Sequence, residues 1–213
     1  MTCRIDHLVV TAPDLDQGVA WIEQALSVRM SGGGQHPRMA THNRLLRLGE
    51  ACYLEVIAPD PAASPPGRPR WFGLDAAGAD TPVALRTWVA RSTGIAASLA
   101  SATEEVGALE RMNRGALEWL ISITPDGSLP LGGVAPALIE WPAGVHPAQS
   151  LPDTGCRLVA LELHHPQPSR VGALLASIGV AEAGVAVSVH PAPAPGLVAH
   201  LSTPSGMKTL AAV

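Results

Sequence analysis

One succession of elements, a strand, a helix and then closely spaced strands, begins three times along this chain, the second and third time after a proline-rich break. Arg4 to Thr11 is β-branched and largely apolar and ends at Ala12-Pro13-Asp14, which reads as a strand stopped by a turn. Asp14 then caps a predicted helix over Leu15 to Leu26, with Val19, Ile22 and Leu26 on one face. Ser31 to Pro37, with three consecutive glycines, reads as a loop. Thr41 to Leu48 and Cys52 to Ala58 read as strands joined at Gly49-Glu50, and Pro59 stops the second.

Pro61 to Pro69 is a connector of Pro, Ala and Ser, after which the pattern restarts. A strand is expected near Val83 to Arg91, a short helix near Gly94 to Ala102, and strands near Glu105 to Met112, Leu117 to Thr124 and Ala137 to Trp141. Pro142 to Thr154 is a second linker. The third unit comprises strand Arg157 to His164, helix Pro168 to Ile178, and strands Val185 to His190, Gly196 to Ser202 and Met207 to Ala211. The first and third units overlay: Arg4-Ile5-Asp6-His7-Leu8 matches Arg157-Leu158-Val159-Ala160-Leu161, and Tyr53-Leu54-Glu55 matches Val198-Ala199-His200. The expected class is α+β, built from repeated βαβββ modules with curved mixed sheets enclosing a cleft. Residues 1–150 would form a domain of two modules (about 4–59 and 83–141), and residues 155–213 a third, related βαβββ-like module.

The 213 residues are 47% hydrophobic and 15% charged, enough apolar material for a core and little case for disorder. A net charge of −4 without any Lys/Arg run argues against nucleic acid or an anionic membrane surface as a partner. Cys3, Cys52 and Cys156 are odd in number and far apart, as expected of free thiols in a reducing compartment. The N-terminus runs straight into strand pattern with no signal-peptide profile. The apolar stretch Val171 to Val189 is broken by Ser177, Glu182 and three glycines, so it reads as helix, turn and strand and not as a membrane span. A cytoplasmic protein is the expectation.

Three segments carry a family resemblance: Ile5-Asp6-His7-Leu8-Val9-Val10, the stretch Gly34-Gln35-His36-Pro37 through Thr41-His42-Asn43-Arg44-Leu45, and Tyr53-Leu54-Glu55-Val56-Ile57-Ala58-Pro59. Together they resemble the glyoxalase-like proteins of the vicinal-oxygen-chelate (glyoxalase/bleomycin resistance/dihydroxybiphenyl dioxygenase) superfamily. The resemblance implies paired βαβββ modules around a cleft, where His and Glu from the first and last strands of each module hold a divalent metal. Other members bind a small molecule without metal.

Strand alternation puts His7 on the face opposite Leu8 and Val10, and Glu55 opposite Leu54 and Val56. On spacing alone the two are a buried hydrogen-bonded pair or two separately satisfied side chains. With the resemblance their strands become neighbours, and the pair suits Mn, Fe, Ni, Co or Zn. In the second module His7 falls opposite Thr87 and Glu55 opposite Leu138, neither a convincing ligand. Glu140, two residues on with the same parity as Leu138, is the candidate third donor. Expected metal ligands are thus His7, Glu55 and Glu140, with Glu55 or Glu140 also shuttling a proton, and His42 and Asn43 contacting substrate.

His36 reads as an exposed loop residue, and Trp88, Trp119 and Trp141 as core. Arg86, Arg111 and Arg114 can neutralise a carboxylate substrate, but read more simply as surface arginines. Glu162, His164 and His200 share one strand face of the third unit, a second polar surface that solvent or another subunit would cover. A homodimer is plausible on that ground. The leading expectation is a metal-dependent lyase, isomerase or dioxygenase acting on a small oxygenated metabolite; the alternative is a metal-free binding protein of the drug-sequestering kind.

Overall fold

The computed structural model describes residues 2–76, 78, 80–115, 117–180 and 185–211. Its class is α+β: among the described residues twelve strands form two mixed sheets, and the helices are few and short. The first unit contains β1 (Cys3–Thr11), α1 (Leu15–Leu26), β2 (Ser31–His36), β3 (Thr41–Gly49) and β4 (Cys52–Pro59). Asp14 caps α1 by accepting from the Gln17 amide at 3.0 Å, and Ser27 ends the helix in the left-handed region. The second unit contains β5 (Ala84–Ser92), α2 (Ile95–Ser101), β6 (Ala108–Arg114), β7 (Leu117–Ile123) and β8 (Ala137–Glu140).

These two units share one eight-stranded sheet in the order β2-β3-β4-β1-β5-β8-β7-β6. In each, the first strand runs parallel to the last, β1 beside β4 and β5 beside β8. The two first strands meet antiparallel at the centre. That pairing brings the apolar and polar faces of both units onto common surfaces. One face carries Leu8, Val10, Leu54, Val56 and Trp88 against the helices; the other carries Val9, Ile57, Val89, Ile121 and Ile139 around a cleft.

The triple glycine belongs to a strand and not to a loop. β2 pairs antiparallel with β3, from Ser31 opposite Leu45 to His36 opposite Thr41, with a register shift between Ser31 and Gly34. A β-carbon at Gly33 (φ +100°) would lie 2.2 Å from the Asn43 carbonyl oxygen, so close backbone approach explains this glycine. β6 also starts later than its composition suggests, at Ala108.

The last unit holds β9 (Arg157–His165), α4 (Pro168–Ser177), β10 (Ala186–Pro191), β11 (Gly196–Thr203) and β12 (Gly206–Ala211). The element order is the expected one, but the strand order β10-β9-β11-β12 is not that of the first two units. β10 returns from α4 to lie parallel and directly beside β9, a place that β2 never takes beside β1. The edges of β9 are thereby filled by β10 and β11. Leu161, Leu163, Val171, Leu174, Ala199 and Leu201 join the helix-side core of the large sheet, so this unit packs behind the cleft. Of the stretch 171–189, residues 181–184 lie outside the described residues; no described helix is long and apolar enough to cross a membrane.

The linker after β8 is structured as well. Within it α3 (Pro147–Ser150) is capped by His146, whose Nδ1 accepts the Ala148 amide at 3.2 Å. Ala148 and Leu151 pack on Leu45 and Tyr53, which fixes the segment over the cleft.

Candidate active site

A bulge in β1 builds the centre of the site. Cys3 and Ile5 share the helix-side core with Leu8 and Val10, an odd-to-even switch that needs one extra residue between them. Pairing with β5 shows it: Ile5 faces Ala90 and His7 faces Val89, leaving Asp6 unpaired in the ladder. The bulge turns Asp6 toward the cleft beside His7, where simple alternation would send it to the helices. Both are buried.

Asp6 is held on every side. Its Oδ1 lies 2.7 Å from His7 Nδ1, and its Oδ2 is 3.0 Å from His146 Nε2 and accepts from Trp141 Nε1 at 3.0 Å. Burial alone would raise its pKa, but the hydrogen bonds and charges of His146 and His7 outweigh burial and hold it at about 2. Asp6 is therefore a carboxylate at neutral pH and takes only donors. Because His146 Nδ1 accepts a backbone amide, its proton sits on Nε2 and points at Asp6. The same reasoning puts the His7 proton on Nδ1, leaving Nε2 with a free lone pair.

That lone pair faces Glu55. His7 Nε2 and Glu55 Oε2 are 3.6 Å apart, beyond hydrogen-bond length, so each can take its own partner. Asn43 Nδ2 donates a short hydrogen bond to Glu55 Oε1, and Asn43 Oδ1 accepts the Gly34 amide at 2.8 Å, which fixes the orientation of the Asn43 amide. The glycine strand thus positions Asn43, and Asn43 positions Glu55. Tyr53 stacks under His7, with ring centroids 4.4 Å apart, and burial pushes its phenol pKa far up, so it keeps its proton.

The cavity over these groups is about 30 Å³, enough for a water or two. Trp71, Phe72, Trp119 and Trp141 wall it, together with Ile121, Ile139, His36 and Arg114. Of the three strand tryptophans singled out in the sequence, Trp88 lies in the helix-side core, donating to the Val134 carbonyl at 2.9 Å; Trp119 belongs to the cleft-side core, and it and Trp141, which packs against that core, also line the site. His36 is buried against Trp71 and not exposed. Burial, countered in part by Glu55 and reinforced by Arg114 and His7, lowers its pKa to about 4. A histidine kept neutral in this way stabilises the fold fully above its ordinary pKa of 6.5, and that contribution is lost as pH falls toward 4. Urea unfolding should show stability dropping by about 3 kcal/mol across this window from His36. His36→Gln should flatten the dependence.

Two expected site residues lie elsewhere. Glu140 points away from the cleft, and its Oε2 accepts the Ile95 amide at 2.7 Å, capping the first turn of α2, whose own Gly94 offers no side chain. Ile139, its neighbour, is the β8 residue that faces the cavity. His42 alternates away from Asn43 on β3; it faces Ala58, and its Nε2 is buried without a hydrogen-bond partner among the described residues. His7, Glu55 and Asn43 do come together.

The expected His7, Glu55 and Glu140 donor set therefore does not assemble. His7 Nε2 and Glu55 Oε2 supply two donors, the second-module positions supply Thr87 and Ile139, and no three His, Cys, Asp or Glu among the described residues form a group able to hold an ion. These residues do not fit a resident divalent metal. The sequence reading missed Asp6, His146 and the placement of Arg114. Only the carboxylate of Asp6, beside His7 in a largely apolar strand, was a visible signal.

A family model described as a glyoxalase-like domain matches residues 5–179. Among solved structures, a hypothetical protein from Staphylococcus aureus has TM-score 0.64 at 12% identity, over 92% of this chain and 88% of that one. Methylmalonyl-CoA epimerase from Mycobacterium tuberculosis has TM-score 0.44 at 18% identity, over 65% and 87% of the two chains. A methylmalonyl-CoA epimerase bound to methylmalonyl-CoA and NH4+ has TM-score 0.48 at 16% identity, over 69% and 100%. No curated protein matches the chain.

Proposed function

This chain belongs to the glyoxalase-like domain family, and on that premise we propose that it is an isomerase or lyase that moves a proton on a small oxygenated metabolite, using its own side chains. The observation that carries this reading is the Asp6–His7 pair, 2.7 Å apart, with the free His7 Nε2 aimed at Glu55. His7 is the general base. Its Nε2 takes a proton from a carbon next to a carbonyl; the C–H electron pair moves into an enolate and the imidazole becomes imidazolium, stabilised by Asp6. Glu55 sits on the same side of the substrate as His7. Side-by-side carriers suit transfer between neighbouring atoms, so the proton returns one position away or a leaving group departs.

Asn43 and Asp6 are positioning residues, each acting through the group it holds. The tryptophan walls exclude water and strengthen these interactions. The test is solvent exchange: wild-type protein in D2O, offered a panel of small hydroxy-ketones and 2-oxo acids, should introduce deuterium at the carbon beside the carbonyl of at least one. Glu55→Gln should slow the exchange about 100-fold or more. Tight binding with no exchange of any compound would instead support the sequestering role, for which the aromatic lining is the favouring feature.

A further inference from the structure

Arg114 distinguishes itself from the other arginines near the cleft. Arg38 and Arg68 pair with Glu110, Arg70 with Asp75, and Arg111 with Glu118 at 3.1 Å. Arg114, at the end of β6, has no carboxylate or hydrogen-bond acceptor among the described residues, yet it lines the cavity that holds His7 and Glu55. Its charge reaches into the site, acting on both His36 and Tyr53. A half-buried guanidinium facing an aromatic cavity without a counter-ion is suited to binding an anion there through a charge-assisted, bidentate contact.

The glycine strand makes room for it. A β-carbon at Gly34 would come within 3.1 Å of Arg114 Cδ and 3.4 Å of Nη1, so the side chain lies across bare backbone. Arg114 also lines an outer groove of about 490 Å³ between the glycines and α3, bounded by Gly32, Gly33, Val145 and Gln149. It therefore stands at the neck between a small inner cavity and a wider outer one. Leu45 and Pro147 share that neck.

We infer that the substrate is a carboxylic acid whose carboxylate sits on Arg114 at this neck. The reacting C–H lies close to the carboxylate, on C2 of a 2-hydroxy acid or on C3 beside the ketone of a 2-oxo acid, because the inner cavity admits only a small head. The rest of the molecule occupies the outer groove. A 2-oxo or 2-hydroxy acid with an extended substituent has this shape. The bidentate fork of the guanidinium fixes the carboxyl plane and so aims that C–H at His7 Nε2. This deepens the proton-transfer reading and rests on it for the identity of the reacting carbon.

Calorimetric titration with a series of short 2-oxocarboxylates, and with the matching 2-oxocarboxamides, tests the inference. The wild-type protein should bind at least one acid, and the amide of that acid about 10- to 100-fold more weakly. Arg114→Gln should lose the same factor for the acid and nothing for the amide, Arg114→Lys should recover part of it, and Arg111→Gln should change neither. Circular dichroism confirms folding, and Arg114→Lys serves as the probe if Arg114→Gln does not fold. Equal binding of acid and amide, unchanged acid binding without Arg114, or no acid bound by the wild type overturns the inference. Acids bound through Arg114 but never deuterated would sink the proton-transfer reading and leave the anion site standing. Deuteration indifferent to Arg114 would do the reverse.

Discussion

Asp6→Asn should destabilise the protein by about 3–5 kcal/mol at neutral pH, more than any other isosteric change in the site. Three N–H groups converge on the two Asp6 oxygens, from His7, His146 and Trp141. An asparagine has one acceptor oxygen and an amino group, so at least one of these donors would face another donor in a buried space. Urea denaturation at neutral pH measures the difference. Its pH dependence has a definite sign. The Asp6 carboxyl is held at about 2, below its ordinary 3.8, so its contribution is complete above the ordinary value. It is lost as pH falls through about 2. The gap between wild type and Asp6→Asn should therefore stay constant above that range and close below it.

Replacing His7 should have the largest effect on turnover. His7→Gln keeps a side chain of similar reach beside Glu55 but has no basic nitrogen, and deuterium exchange on the substrate found for the wild type should fall by about 10²–10⁴-fold. Asp6 acts on the substrate only through His7 in this proposal, so the two effects should not add. Asp6→Asn in a His7→Gln background should cost little further activity while still costing stability through the His146 and Trp141 donors that remain. If the losses multiply instead, Asp6 has a separate part in the reaction. Folding is checked on the same samples by the unfolding midpoint, since both residues are buried.

The sequence carried the fold further than it carried the site. Strand and helix patterns locate most elements within a few residues, because β-branched runs, Asp14 at a helix start and prolines at strand ends are local signals. Alternation also put His7 and Glu55 on one face, and Asn43 came with them. Alternation failed at one step. The bulge at Asp6 has no signature in composition, and it converts a residue expected on the helix side into the group that orients His7.

Glu140 failed for a related reason: its parity was read from Leu138, which faces α2, and the short helix needed an outside carboxylate for its first turn. The glycine run looked like a loop because glycine disfavours strands, yet the pairing with β3 needs bare backbone at Gly33. His146 and Arg114 were hidden by distance. Their neighbours in the cleft lie more than a module away along the chain, and only the antiparallel meeting of β1 and β5 brings the two halves together.

The orientation of the His7 proton is the point on which the functional account turns. Nitrogen-15 NMR of histidine-labelled protein, with long-range couplings resolving both ring nitrogens, reads it directly. At neutral pH the expected spectrum shows a His7 ring with its proton on Nδ1 and an unprotonated Nε2, and His146 with the opposite tautomer. In Asp6→Asn the His7 preference should weaken or reverse. A wild-type His7 carrying its proton on Nε2, with Nδ1 bare beside Asp6, would overturn the role of His7 as the base, because its ring would then turn an N–H and not a lone pair toward the substrate.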